Sequence, residues 1–116
     1  MNKISFSANV DATISDDLCF KKSPVDGNGL FSVSEIEKGT VIHPTHFRHI
    51  KYGWINLTPN YKYNHSKINE NCKIVTENNT KFLVAIRDLS ADEEIFVDYT
   101  KDLDLEQPMN GWREWV

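Results

Sequence analysis

The sequence predicts a single, mainly β domain built from several short strands with little helix. The chain has 116 residues, which is room for one hydrophobic core. Apolar residues make up 40% of the chain and charged residues 26%, a composition typical of a folded domain and not of a disordered tail. Short apolar segments recur about every ten residues between turn-forming residues, and none has the period of an ordinary helix. This pattern is typical of an all-β or β-rich domain.

The predicted strands follow one another along the chain, separated by turns. Apolar and polar side chains alternate over residues 4–14, which predicts a strand that buries one face. Residues 18–22 predict a second strand, and the loop 24–29 after it contains a proline and two glycines. We predict one helical turn at 34–38, and further strands at 40–42, 72–76, 81–86 and 95–97.

Two further patterns organise the rest of the chain. The turn-forming residues 77–80 predict a hairpin between the strands on either side of them. Residues 43–62 contain two prolines and several aromatic residues without a regular period, which makes this segment the least regular part of the chain. We therefore divide the chain into an N-terminal strand or extension (1–17), a main domain (18–100) and a C-terminal tail (101–116).

Charge and hydropathy exclude several classes of protein. The formal net charge of −4 argues against a direct nucleic-acid binder and favours a basic partner. The longest fully apolar run, residues 82–86, is far shorter than the roughly 20 residues that cross a bilayer. The N-terminus has no continuous apolar block of the kind found in secretion signals. We therefore expect no membrane association and a location in the cytoplasm or the interior of a host cell.

The cysteines and histidines do not predict a metal site. The two cysteines, Cys19 and Cys72, are too few for a four-cysteine zinc site or a disulfide framework. His43, His46 and His49 would share one face of a helix, but Pro44 disfavours a helix that continues through them. No carboxylate pattern completes a ligand set around them.

Three short motifs contain the residues that suit ligand binding or catalysis. Each motif also has an ordinary structural interpretation. Gly27-Asn28-Gly29 lets a ligand approach the backbone closely, or simply forms a tight turn. Asn64-His65-Ser66 offers a metal ligand, a general base or a structural histidine. Asp98-Tyr99 ends a predicted strand, where the tyrosine either belongs to a functional site or simply packs its ring against an edge strand. Taken singly, none of the three motifs identifies a function.

Taken in order, the motifs resemble the SET domain family of protein lysine methyltransferases. The resemblance rests on the loop 23–31, then Glu37-Lys38-Gly39-Thr40-Val41-Ile42, then Asn64-His65-Ser66, then residues 93–99. It covers about residues 18–99, and by length the chain is most similar to the small single-domain SET proteins of viruses. It implies a β-clip-like fold of several small sheets. In that fold the Asn-His-Ser and Asp-Tyr segments cross in a C-terminal pseudoknot, an exception to the rule against threaded chains.

The resemblance also implies a cofactor, S-adenosylmethionine, and the residues that hold it. The implied cofactor-binding residues are Gly27, Asn28 and Gly29 through the backbone, and Asn64 and His65 through their side chains. Tyr99 is the implied catalytic tyrosine. The chain lacks the three-cysteine zinc module that closes the site in many relatives, so Trp112 and Trp115 of the tail are candidates to close it, and Trp112 is assigned to the cofactor. Packing in the core is the alternative role of either tryptophan.

The implied substrate is the ε-amine of a protein lysine. Tyr61, Tyr63 and Val97 are the predicted substrate-binding residues. Val97 stands two positions before Tyr99, where in the family a tyrosine tends to stop the reaction after one methyl group. An aliphatic residue there predicts that more than one methyl group is added to each lysine.

The chain departs from the family pattern in two places. The family follows Asn-His-Ser with a cysteine, one residue and then Pro-Asn, whereas residues 67–72 contain no proline and are one residue longer. The segment between the strand at 40–42 and Asn64 is short, which reduces the usual surface for docking a substrate.

The sequence therefore favours a lysine methyltransferase over two alternatives. One alternative is a catalytically weak or inactive SET-like binding module, and the other is an unrelated small β protein with chance motifs. A basic, lysine-containing protein such as a histone or a ribosomal protein would suit the acidic chain. The alternating segment 4–14 could pair with a second copy at a sheet edge, so a homodimer is also expected.

Overall fold

The computed structural model describes residues 16–25, 27–58 and 63–105. Within this part of the chain it contains eight strands in three small sheets and one short 3-10 helix, so the prediction of a mainly β fold is confirmed. The alternating segment 4–14 and most of the tail, including Trp112 and Trp115, lie outside the described residues. The strands are β1 Leu18–Lys22, β2 Asn28–Ser32, β3 Val41–His49, β4 Gly53–Asn56, β5 Asn64–His65, β6 Cys72–Glu77, β7 Thr80–Ala85 and β8 Phe96–Val97, followed by the 3-10 helix Tyr99–Lys101.

The first sheet is an antiparallel hairpin of β1 and β2, joined by the glycine-containing loop. Gly27 has a φ of +50°, a conformation that glycine adopts at no steric cost. The amide of Ser23 donates to the Gly27 carbonyl at 2.8 Å and closes the turn. Three buried side chains of β2, Leu30, Phe31 and Ser32, direct this hairpin onto the rest of the domain.

The second sheet has four antiparallel strands in the order β4-β3-β7-β6. The predicted hairpin of residues 72–86 is confirmed as β6 and β7. Asn78 in its turn has a φ of +57°, a conformation that asparagine tolerates better than most residues. Residues 34–38 form no helical turn, because Ile36 instead makes an isolated antiparallel bridge to Leu89.

The segment 43–62, which shows no regular period in the sequence, contains β4 and all of β3 except its first two residues, which belong to the predicted strand at 40–42. The pairing of β3 with β7 shifts register between Val41 and His43 and again between Pro44 and His46. Each irregularity moves the following side chains to the other face, so the period of two is lost although the strand continues. These local irregularities explain why residues that form strands show no regular period in the sequence.

The third sheet is a parallel pair of two-residue strands, β5 and β8, which places Asn64 opposite Phe96 and His65 opposite Val97. The core lies between the three sheets. Its members are aliphatic or aromatic apart from one cysteine: Leu18, Leu30, Ile36, Ile42, Tyr63, Cys72, Leu83, Ala85, Leu89, Ile95 and Val97. In the part of the chain that the structure describes, no helix is long and apolar enough to cross a membrane.

Candidate active site

Gly29 lies on β2 against a polar cluster formed by two distant segments. A Cβ atom on Gly29 would overlap the Glu94 carboxylate and would lie 3.3 Å from Nδ2 of Asn64. Its φ is not in the left-handed region, so space and not backbone conformation requires glycine here. Gly27 and Asn28 form the turn that leads into this position. The structure thus brings Gly29 and Asn64 together.

Glu94 is the centre of this cluster and was not among the predicted site residues. It is 8% exposed. Its Oε1 accepts a hydrogen bond from Ser23 Oγ at 2.8 Å, and its Oε2 accepts one from Asn64 Nδ2 at 2.7 Å. Asn64 Nδ2 also lies 3.1 Å from Ser23 Oγ. Glu94 belongs to the motif at 93–99, so its place beside the tyrosine motif was the available sequence signal.

His65 packs against Tyr99, the predicted catalytic tyrosine. Its side chain is fully buried, and its ring stacks on that of Tyr99 with centroids 6.1 Å apart and planes 20° apart. The amide of Tyr99 donates to Nδ1 of His65 at 3.2 Å. This bond requires a lone pair on Nδ1, so the proton of the neutral ring is on Nε2. The parallel pairing of β5 with β8 is what brings these two residues together.

Asn71 secures both segments of the parallel pair and was also missed. Its Oδ1 accepts from the amide of Phe96 at 2.8 Å, and its Nδ2 donates to the carbonyl of Glu94 at 2.7 Å. Its own amide donates to the carbonyl of Phe96 at 3.1 Å. At the other end of the loop, the amide of Ser66 donates to the carbonyl of Val97 at 3.2 Å. The segment before Tyr99 is therefore bound to both ends of the loop 66–71, as the expected crossing requires.

The hydroxyl of Tyr99 is oriented by a chain of hydrogen bonds. It donates to the carbonyl oxygen of Tyr63 at 2.7 Å. The ring of Tyr63 is buried, and its hydroxyl lies 2.8 Å from Nε2 of His43. Nδ1 of His43 lies 3.0 Å from the carbonyl of Pro44, which only accepts, so Nδ1 carries the proton and the Tyr63 hydroxyl donates to Nε2. His43 was predicted only as one of three spaced histidines.

The three histidines do not converge on one point. His43 is bound to Tyr63, Nδ1 of His46 lies 2.8 Å from Thr45 Oγ1, and Nδ1 of His49 accepts backbone amides of the adjacent turn. Burial lowers the pKa of His46, and the nearby Lys81 ammonium lowers it further. Among the residues that the structure describes, no group of three or more His, Cys, Asp or Glu side chains is arranged to hold a metal ion.

A buried lysine anchors the segment that follows Tyr99. Lys81 of β7 is 1% exposed, and its ammonium lies 2.7 Å from Thr76 Oγ1. It pairs with Asp102 at 2.7 Å and with Asp104 at 3.3 Å, both just after the 3-10 helix. It also lies 4.3 Å from the centre of the Trp54 ring, within cation–π range. The sheet is thereby tied to the chain end that positions Tyr99.

Val97 lines a small cavity next to the tyrosine. The cavity has a volume of about 80 Å³, and its lining is mixed: Ile74, Val97 and Leu105 are apolar, and the other lining residues are charged, namely Glu70, Lys73, Asp98, Lys101 and Asp102. One oxygen of Glu70 pairs with Lys101 at 2.6 Å. Val97 is thus a core residue, 1% exposed, that also contributes to the lining of this cavity. Of the other predicted substrate and cofactor residues, Tyr61 and Trp112 lie outside the described residues.

The cysteines offer no nucleophile in this region. Burial raises the pKa of the Cys72 thiol to about 12, so it is protonated at neutral pH. Cys72 is a fully buried core residue at the start of β6. The polar groups around Tyr99 therefore suit the binding and orientation of a ligand better than covalent catalysis by a thiol.

Part of the chain matches one family model. Residues 48–100 match the SET domain family model. This segment contains Asn64, His65, Glu94 and Tyr99, and the Gly27–Gly29 turn precedes it. A comparison with curated protein sequences finds no match.

Solved structures resemble the chain over about three quarters of its length. A candidate histone methyltransferase of Plasmodium falciparum is 24% identical, with a TM-score of 0.59 over 74% of this chain and 95% of that one. The methyltransferase domain of human PR domain-containing protein 2 is 17% identical, with a TM-score of 0.59 over 78% of this chain and 82% of that one. A humanized mutant of the Chaetomium thermophilum Polycomb Repressive Complex 2, bound to an inhibitor, is 22% identical, with a TM-score of 0.56 over 76% of this chain and 15% of that one. This chain therefore has the fold of a SET domain, and its segment 48–100 matches that family.

Proposed function

We propose that the protein transfers methyl groups from S-adenosylmethionine to the ε-amine of a protein lysine. The observation that carries the proposal is the parallel pairing of β5 with β8, which stacks His65 on Tyr99 and joins Asn64 to the cluster at Gly29. Residues from three motifs far apart in sequence thus meet in one place. The match to the SET family and the methyltransferases among the similar structures support the same function.

The polar groups near Gly29 fit this cofactor. S-Adenosylmethionine supplies a methyl group activated by a positively charged sulfur. A buried carboxylate bound only to neutral partners, as at Glu94, suits a positively charged ligand. We assign binding to Gly27, Asn28, Gly29, Asn64 and His65, and retain Trp112 of the tail as a further contact.

The protein must bind the lysine as a neutral amine before it can be methylated. The pKa of a lysine ammonium is about 10.4, so nearly all of it is protonated at neutral pH. An apolar channel lowers the pKa of the ammonium because burial disfavours the charged form. The apolar core at Tyr63 and Val97, against which Tyr99 packs, offers such surroundings.

Tyr99 is proposed to orient the amine by accepting a hydrogen bond from it. Its own proton is donated to the Tyr63 carbonyl, so the hydroxyl presents lone pairs to an incoming N–H group. A phenol with an ordinary pKa near 10 is a poor base at neutral pH, so Tyr99 is assigned no proton abstraction. The Tyr63 carbonyl and the Tyr99 hydroxyl also place two oxygens together, where weak C–H···O contacts to a polarised methyl are favourable. Placing the reactants in line is expected to supply most of the acceleration.

We further propose that the protein adds more than one methyl group to each lysine. Val97, two positions before Tyr99, has no hydrogen-bonding group and is smaller than any aromatic residue, which leaves more space for a methylated amine to rotate than a tyrosine would. Val97→Tyr should shift the product towards monomethyllysine, because the added ring and hydroxyl would fill that space and hold a water molecule or the amine. Mass spectrometry of a peptide time course measures the shift, and a wild-type product that remains monomethylated at full conversion would contradict the proposal.

The proposed substrate is a basic protein, of the histone or ribosomal type, because the chain carries a net charge of −4. The expected homodimer and the size similarity to viral proteins remain predictions, and the dimer prediction rests on residues 4–14, outside the described part. Calorimetry with S-adenosylmethionine, followed by methyl transfer to histone peptides and cell extracts, tests the function. Cofactor binding without transfer to any protein would favour the binding-module alternative, and the absence of cofactor binding would exclude both.

A further inference from the structure

The carboxylate of Glu94 differs from the acidic groups beside it. Asp92 forms an ion pair with Lys21, and Glu93 forms one with Arg87, both near the surface. Glu94 is buried, and its two oxygens accept only from the neutral Ser23 and Asn64 side chains. Among the described residues, no Lys or Arg forms an ion pair with it.

The surrounding residues hold this carboxylate in place from two sides. The side-chain Nδ2 of Asn71 donates to the backbone carbonyl of Glu94 at 2.7 Å, which fixes the main chain at Glu94. On the side-chain end, the lack of a Cβ at Gly29 provides the space that the carboxylate occupies. The position of the charge is therefore built into the fold and does not depend on a flexible surface side chain.

Glu94 also determines which way the Asn64 amide faces. An ionised carboxylate only accepts hydrogen bonds, so the NH₂ group of Asn64 must face Glu94 and Ser23. One side chain thus fixes both the charge and the polarity of this site.

An uncompensated carboxylate in a buried position is unfavourable unless a positive charge approaches it. We propose that Glu94 provides the negative charge that selects positively charged S-adenosylmethionine over the product S-adenosylhomocysteine. The product carries one positive charge fewer because its sulfur is neutral. Glu94 would therefore favour the replacement of the product by a new cofactor molecule after each transfer. This inference rests on the proposed function and assigns Glu94 as a selectivity residue of the same site.

Isothermal titration calorimetry of both ligands with the wild type and with Glu94→Gln tests the inference. The glutamine keeps the size of the side chain and an acceptor for Asn64, removes the charge, and replaces the oxygen that accepts from Ser23 with an NH₂ group. We expect affinity for S-adenosylmethionine to fall about tenfold and affinity for S-adenosylhomocysteine to change less than about threefold. Glu77→Gln, at the exposed end of β6, removes the same charge elsewhere and should leave the ratio of affinities unchanged.

A second measurement uses the wild type alone, so it does not depend on the folding of a variant. Sinefungin carries an amine in place of the methylated sulfur and is positively charged there, so it should bind more tightly than S-adenosylhomocysteine. Equal losses of affinity for both ligands in Glu94→Gln would assign Glu94 a structural role and overturn the inference. Equal wild-type affinities for charged and uncharged ligands would overturn it as well. A wild type that binds none of the ligands would overturn the proposed function itself.

Discussion

The four-stranded sheet and the parallel pair of β5 with β8 are held together by different forces. The sheet is formed by strands of four to nine residues, and β7 buries alternate side chains such as Leu83 and Ala85. The parallel pair has two residues in each strand, and side chains of Asn71, Asn64 and Glu94 fix the segments around it. The first region depends on apolar burial, whereas the second depends on directed hydrogen bonds between residues distant in sequence. Substitutions should therefore affect the two regions in different ways.

The largest expected effect is a loss of methyl transfer at the parallel pair, with no change in the stability of the four-stranded sheet. Tyr99→Phe removes one hydroxyl that is bound to the Tyr63 carbonyl. Methyl transfer should fall on the order of 10²-fold, because the amine loses a positioned acceptor at the reacting centre. Single-turnover assays measure the rate, and calorimetry should show nearly unchanged cofactor affinity. Near-normal transfer by the folded variant would remove Tyr99 from the catalytic role.

The next effect is on the stability of the parallel pair. Asn71→Ala removes two side-chain hydrogen bonds to the buried backbone around Glu94 and Phe96. We expect a loss of about 2–3 kcal/mol in the free energy of unfolding, because buried backbone groups are left without partners. Urea denaturation measures the loss, and Asn79→Ala in the exposed turn before β7 is the matched control, with a change within about 0.5 kcal/mol. Equal effects of both variants would contradict a special role of Asn71.

A smaller effect should follow from removing the connection between the two regions. Lys81→Met retains most of the apolar side chain but removes the ammonium that pairs with Asp102 and Asp104. Both aspartates are partly exposed and can return to water, so we expect a loss of about 1–3 kcal/mol in unfolding free energy, below the usual value for a buried pair. Hydrogen exchange should show faster exchange at residues 99–105 than in β6. Uniformly faster exchange across the four-stranded sheet would indicate that Lys81 stabilises the core and not residues 99–105.

The same contrast explains how much the sequence could predict. The hairpin of β6 and β7 was predictable because apolar alternation and a turn are local signals. The strand β3 was predicted only at its start, 40–42, because two register shifts disrupt its alternation. Lys81 was missed because a lysine in a strand is ordinarily exposed, and its partners lie about twenty residues away.

The candidate site could be predicted only in part. Asn64, His65 and Tyr99 were found by resemblance to a family, not by any period in the sequence. Glu94 and Asn71 act through hydrogen bonds that exist only once the segments have been brought together. No local pattern of residue types specifies such long-range polar contacts, whereas the requirement for glycine at position 29 follows directly from them.

The smallest predicted effect concerns pH and arises at Cys72, where the sheet meets the loop of the parallel pair. Burial raises the pKa of this thiol from 9.0 to about 12 in the folded protein. The folded state therefore holds its proton more tightly than the unfolded state, and stability depends on the difference. This contribution is fully present below about pH 9 and is lost progressively as the pH rises towards 12.

Urea denaturation tests this dependence between pH 8 and 10.5, a range of about two and a half units in which the unfolded thiol ionises. The free energy of unfolding should fall more steeply with pH in the wild type than in Cys72→Ala. Cys19→Ala, which removes the less buried cysteine, should retain the wild-type slope. Identical slopes in all three proteins would mean that the Cys72 thiol is not shielded from solvent, and would place the boundary of the apolar region elsewhere.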